Sequence, residues 1–358
     1  MDEPRLISDP ESVDAGWLTS VLRYSGAISK AAAVASFEAQ AFGTGQVGYN
    51  VRYDLVLDGP ASGPDSVVVK FSSRDESSRA AGVQSLCYDR EVGFYREIAS
   101  TVAVARPYCH FAACEPGTAD VVIVMEDLAP AQQGDQIAGC TVEQARLVVL
   151  EAAKLHGPRW GDPALLATGW LPGRQSADPA VLAAAFGAHW PGFCDRFRAT
   201  LTPGSLEVGN KMVRDGWAPA EQDELTVCHG DYRLDNILFA PPGHACPVVI
   251  VDWQTVHLGV GTSDVSYFLG SALPPEDRRT WERDLIAGYH STLEALGVKG
   301  YSAERCWDDY RRISLNGFFI AVFAAMSRQR TARGDAASMA MTNGSASQIL
   351  DLHAFDAD

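Results

Sequence analysis

The sequence predicts an α+β protein in two lobes, an antiparallel sheet first and a mostly helical region after it. Two observations carry that expectation. Strand-like runs, several with apolar residues at period two, dominate before residue 127, and helical spacing dominates after it. The change falls where the apolar run Val121-Val122-Ile123-Val124-Met125 ends in Glu126 and Asp127. The expected lobes are residues 1–127 and 128–358, meeting at a cleft near residue 127.

Residues 11–24 read as an amphipathic helix, with Val13, Trp17, Val21 and Tyr24 three to four apart and Pro10 near the start. Strands follow over 31–71. Val51, Tyr53, Leu55 and Leu57 alternate with Asn50, Arg52, Asp54 and Asp58, as in a half-buried strand. The Gly59-Pro60-Ala61-Ser62-Gly63-Pro64 turn comes next, and Val67-Val68-Val69 resumes the sheet. Residues 72–82 read as a polar loop, 84–100 as a helix, and 107–113 and 121–125 as further strands. Beyond these, 142–156 and 181–199 are helical, short strands lie within 227–251, and the rest is helical to about residue 352.

A chain that is 47% hydrophobic and 21% charged has the profile of a globular protein with a substantial core. The formal charge of −16 repels phosphate backbones and anionic membranes, so nucleic-acid and membrane binding are not expected. The longest apolar run, 315–326, is too short to span a bilayer and contains Asn316 and Gly317, which fits a buried helix. Eight cysteines without CxxC pairs and an acidic opening, Met1-Asp2-Glu3-Pro4-Arg5, suggest reduced thiols and a cytoplasmic protein.

The strongest chemical signal is Cys228-His229-Gly230-Asp231-Tyr232-Arg233-Leu234-Asp235-Asn236-Ile237-Leu238. Phosphoryl transfer needs a carboxylate to orient the attacking hydroxyl and a metal-binding side chain nearby, and one short loop can supply both. Asp252 ends the apolar run Pro247-Val248-Val249-Ile250-Val251, where a carboxylate is costly unless a cation such as Mg²⁺ meets it. Gly43-Thr44-Gly45-Gln46-Val47-Gly48 precedes a strand and not a helix, which excludes a dinucleotide fingerprint and fits a phosphate-covering hairpin. Lys70 ends a buried β-branched run and needs an acidic partner or a phosphate. Glu91, on one helical face with Cys87, Phe94 and Ile98, is the candidate, whereas Glu97 is expected in solvent.

Together these strings resemble the aminoglycoside phosphotransferase and choline-kinase-like superfamily, relatives of the protein kinases, and in particular bacterial phosphotransferases similar to ecdysteroid kinases. Phe94-Tyr95-Arg96-Glu97, Val124-Met125-Glu126-Asp127-Leu128 and the segment from His229 to Asn236 carry the resemblance, over about residues 40–270. It implies a protein-kinase-like fold with ATP and Mg²⁺ as cofactors and a small hydroxylated molecule as substrate. Asp231 would be the catalytic base, and Asn236 and Asp252 the Mg²⁺ ligands. Gly43, Gly45 and Gly48 would cover the phosphates, Lys70 would hold them with Glu91 orienting it, and the backbone of Met125 and Asp127 would meet adenine. Asp264 matches a family acid with a structural role. His-Gly-Asp in place of His-Arg-Asp, and Asp252-Trp253-Gln254 in place of Asp-Phe-Gly, point away from a protein substrate. The competing readings are an inactive nucleotide-binding module and a metal-dependent hydrolase using His229, Asp231 and His244. Neither the substrate's identity nor the oligomeric state can be read from these residues.

Overall fold

The computed structural model describes residues 2–43, 47–58, 63–173, 179–216, 224–241, 243–244, 246–327 and 330–356. The chain divides into two compact units. The first comprises Met1–Thr101, Arg106–Pro130 and Asp252–Val256, and the second Val102–Ala105, Ala131–Val251 and His257–Asp358.

In the first unit, β1 (Ala33–Phe42), β2 (Gly48–Asp58), β3 (Ser66–Ser72), β4 (Cys109–Cys114) and β5 (Val121–Glu126) form an antiparallel sheet in the order β1-β2-β3-β5-β4. Alternation sets one face: Val67, Val69 and Phe71 of β3 are buried and pack with Val51 and Tyr53 of β2. Helix α1 (Ala15–Tyr24) closes that face with Trp17, Leu18, Val21 and Leu22. It starts later than its spacing suggested. Asp9 first caps a separate turn, Pro10–Ser12, and Asp14 then takes the N–H of Trp17 at 2.7 Å.

The loop expected over 72–82 is partly a helix, α2 (Glu76–Gln84), capped by Asp75 on the N–H of Ser78 at 2.8 Å. Its face buries only Gly82, so it has no apolar periodicity to read. The single helix expected over 84–100 is interrupted. Leu86 sits at φ 57°, α3 (Cys87–Gly93) follows, and the chain continues through a wider turn, Phe94–Ile98, and a tighter one, Ala99–Thr101.

The second unit is mainly helical. Helix α4 (Val142–His156) begins with a capping box between Thr141 and Gln144. Short strands β6 (Gln132–Gln133), β7 (Thr226–Cys228), β8 (Ile237–Phe239), β9 (Val248–Ile250) and β10 (His257–Gly259) pair antiparallel as β6-β8-β9 and β10-β7. The remaining helices are α5 (Pro179–Phe197), α6 (Pro203–Asp215), α7 (Thr262–Ala272), α8 (Pro275–Ala295), α9 (Ala303–Ser327) and α10 (Ala332–Asp351). Every residue of α7 is buried, and α9 and α10 pack on it. A Cβ on Gly344 would lie 2.3 Å from the carbonyl oxygen of Gly270, so the glycine permits the α7–α10 approach. The apolar run 315–326 lies in α9, where Phe318 and Val322 meet Phe186, Trp190 and Phe193 of α5. Among the described residues no helix is long and apolar enough to cross a membrane.

Candidate active site

The residues singled out by the sequence divide between the units. Gly43, Gly48, Lys70, Glu91, Met125, Asp127 and Asp252 lie in the first, and Asp231 and Asn236 in the second. Gly45 lies outside the described residues.

In the first unit, β1 and β2 pair up to Phe42 opposite Asn50, and Gly43 leaves β1 at φ +83°. A Cβ on Gly48 would lie 2.7 Å from Cε of Lys70, so the lysine's alkyl chain lies where any larger residue would sit. The Nζ of Lys70 is 2.6 Å from Oε2 of Glu91 and 2.6 Å from Oδ1 of Asp252. Burial opposes the lysine's charge, but the Asp252 and Glu91 carboxylates outweigh it and raise its pKa above the ordinary range. Glu91 is buried, and the backbone N–H of Trp253 also reaches it.

Asp252 occupies the left-handed region at φ 69°, which aspartate tolerates better than most residues. Its Oδ2 accepts from Nε2 of Gln254 at 3.1 Å. Trp253, fully buried, stacks on Phe94 with ring centroids 3.8 Å apart and planes at 9°, which anchors the segment.

On β5, the sulfur of Met125 accepts from the Tyr95 hydroxyl at 3.3 Å. The Asp127 carboxylate is taken by Arg52 at 2.7 Å, Ser66 at 2.7 Å and the N–H of Ala129 at 3.1 Å. Burial raises its pKa, but those partners together lower it. Its side chain ties strand ends together.

In the second unit, β7 leads into His229 and Gly230, the latter at φ 85°. The chain then turns through Leu234–Asn236 into β8. Nε of Arg233 donates to both Asp231 oxygens, at 3.0 and 3.1 Å. Nδ2 of Asn236 donates to Oδ2 of Asp231 at 3.1 Å, and the Tyr267 hydroxyl to Oδ1 at 3.2 Å. Arg233 also meets Asp235 at 2.5 Å. Burial works against the Arg233 charge, yet Asp231 and Asp235 raise its pKa further.

Asp264, at the start of α7, holds the loop by its backbone, accepting the N–H of His229 at 2.6 Å and that of Gly230 at 3.0 Å. Its Oδ2 also lies 3.3 Å from Nε2 of His156. Burial raises the Asp264 pKa, but the His156 hydrogen bond and the field of His156, His229 and His257 bring it down to about 2. His156, Cys228 and Asp264 place possible ligand atoms within 4.8 Å of one another, a grouping their spacing does not reveal. Both Asp264 oxygens are engaged by the loop, so the group reads as an anchor.

Sequence reasoning missed several supports of the loop. Gln136, 1% exposed, accepts the N–H of Leu234 at 2.9 Å, donates to the Ser271 carbonyl at 2.7 Å and gives its own N–H to Asp235 at 3.1 Å. Arg333 of α10 reaches Asp235 at 2.9 Å and Asp135 at 3.3 Å. Neither residue belongs to a periodic run or a motif. His244 is exposed and bonds within its own turn to Cys246, while both ring nitrogens of His229 meet backbone, at Val251 and Asp231. That geometry gives the hydrolase reading no ligand set.

Residues 182–299 match the model of the ecdysteroid kinase-like family. Over 87 residues the chain is 32% identical to acyl-CoA dehydrogenase family member 10 of Mus musculus, a match spanning 22% of this chain and 8% of that relative's length. Three solved structures are similar across most of the molecule. Aminoglycoside 2'-phosphotransferase-IIIa, solved as its GDP complex, has a TM-score of 0.53 at 14% identity, covering 87% of this chain and 94% of the other. Choline kinase from Cryptosporidium parvum gives 0.52 at 10%, covering 95% and 94%. Macrolide 2'-phosphotransferase type I gives 0.50 at 13%, covering 93% and 97%. The chain therefore has the protein-kinase-like α+β fold found in aminoglycoside phosphotransferases and choline kinase, and it carries within residues 182–299 the match to the ecdysteroid kinase-like family.

Proposed function

We propose that this protein is an ATP- and Mg²⁺-dependent kinase that moves the γ-phosphate to a hydroxyl of a small molecule. The observation that carries the reading is the trio of Lys70 between the buried Glu91 and the half-buried Asp252. One ammonium between two carboxylates leaves a negative excess, which suits a divalent cation, and a lysine held charged there suits a phosphate chain. Of the proposed oxygen donors, Asn236 gives its N–H to Asp231, so that its amide oxygen is the atom a hard ion would take, and Asp252 offers a carboxylate, the ligand types that suit Mg²⁺. When bound, Mg²⁺ would neutralise the phosphate oxygens between which charge redistributes.

The chain's own residues do the rest. Lys70 binds the nucleotide phosphates and Glu91 fixes its direction. Gly43 and Gly48 keep backbone near those phosphates, and the backbone of Met125 and Asp127 meets the adenine. Asp231 accepts a hydrogen bond from the substrate hydroxyl, whose oxygen attacks the γ-phosphorus. The bond from that phosphorus to the β–γ bridging oxygen breaks, ADP leaves, and the hydroxyl proton passes to Asp231. Donors from Arg233, Asn236 and Tyr267 hold the Asp231 carboxylate in place. It orients the nucleophile and takes the proton late, as a loose transition state requires.

ATP consumption with Mg²⁺ across aminoglycosides, choline, sugars, sterols and macrolides tests the proposal, with Asp231→Ala alongside. Turnover on one class, reduced at least about a thousandfold in the variant, is the expected result. A wild-type protein that neither binds nor consumes ATP would sink the reading. Binding without turnover on any acceptor would favour an inactive nucleotide-binding module.

A further inference from the structure

We propose that Tyr267 is a positioning residue for the Asp231 carboxylate, and that α9 and α10 brace it in that role. The inference rests on the kinase reading for its consequence in catalysis, but its geometry stands within the second unit alone. Tyr267 is 4% exposed, and its hydroxyl donates to Oδ1 of Asp231 at 3.2 Å. It lies one helical turn beyond Asp264, on the same face of α7. The helix thus grips the loop twice: Asp264 holds the backbone of His229 and Gly230, and Tyr267 holds the functional carboxylate.

The donors divide between the two oxygens. Arg233 spans both, Asn236 takes Oδ2 and Tyr267 takes Oδ1. A guanidinium nitrogen between two oxygens permits the carboxylate to rock. Donors placed on each oxygen set its plane, and so set which lone pair faces an incoming hydroxyl. The Tyr267 ring is in turn fixed by packing with Ala321 of α9 and Met341 of α10, with Ile320 against the same cluster. Gly317 of α9 approaches closely enough that a Cβ there would be 3.6 Å from the ring. The last ninety residues, which carry no motif, acquire a task through this contact.

Tyr267→Phe keeps the ring and its packing and removes only the hydroxyl. The first readout needs no acceptor: crystal structures of the full chain, wild type and Tyr267→Phe, compared at the Asp231 carboxylate. In Tyr267→Phe its plane should turn away from the wild-type orientation. An unmoved carboxylate overturns the proposal, whether or not the protein proves to be a kinase.

The second readout is ATP hydrolysis with water as acceptor. In Tyr267→Phe, kcat should fall about tenfold while KM for ATP·Mg²⁺ is unchanged. Equal kcat counts against it. Met341→Ala retains the hydroxyl but loosens the ring, and a kcat lowered about threefold is expected; wild-type kcat in that variant removes the bracing role. Absent ATP binding in wild-type protein, with the carboxylate still turned in Tyr267→Phe, would remove the kinase reading and leave the positioning contact intact.

Discussion

At Asp264 a single buried carboxylate accepts two backbone N–H groups and faces His156. Its pKa falls from 3.8 to about 2. Because the folded value lies below the unfolded one, the stabilisation is complete above about pH 4 and is lost as pH falls toward 2. Asp264→Asn cannot accept both loop N–H groups as an anion does. We expect a loss of about 3 kcal/mol at neutral pH. Urea melts from pH 7 to pH 3 check the origin of that loss, since the gap between wild type and variant should narrow to about half by pH 3. A gap of constant size would mean that packing, and not charge, is what Asp264 supplies.

Among the elements, the contact of α3 and its following turn with the 252–256 segment matters most for the nucleotide site proposed above. Phe94 and Trp253 stack face to face, and Trp253 adjoins the residue that meets Lys70. Phe94→Ala should cost roughly 3–5 kcal/mol and weaken ATP·Mg²⁺ binding as well, because the left-handed Asp252 loses its anchor. Denaturation and isothermal titration on the same preparation would read both effects, and intact affinity would refute the second. Legibility in the sequence followed burial. β2 announced itself by alternation, α4 as a helical segment, and Glu91 by sitting in an apolar stripe that solvent would not explain. α2 buries a single glycine and left no pattern, and the break at Leu86 depends on a backbone angle that a leucine side chain does not advertise. In the loop, Asp231 and Asn236 were legible as types at a spacing. Gln136 and Arg333 reach it from distant segments, and only folding brings them there. Tyr267 was in view, three residues past Asp264, but nothing in the string says that its hydroxyl meets a carboxylate.

For the whole molecule, a net charge of −16 coexists with arginines committed to internal acids: Arg233 to Asp231 and Asp235, and Arg278 to Glu282 and Asp351. Under the proposed function, a phosphate ligand of so acidic a chain would depend on a few placed cations, with Lys70 foremost. Saturating ATP·Mg²⁺, at about 100 times its Kd, should stabilise the folded chain by about 2.7 kcal/mol and raise Tm. Lys70→Met should abolish that rise, and a rise of wild-type size in the variant would displace Lys70 from the nucleotide site. The membership of Asp252–Val256 in the first unit also has a consequence in time. A ribosome adding roughly 5–20 residues per second needs about 6–24 s to cover the ~120 residues between Pro130 and Asp252. Throughout that interval the newly made sheet lacks the indole that covers Phe94 and one of the two carboxylates that meet Lys70, so the part synthesised first is among the last to be finished.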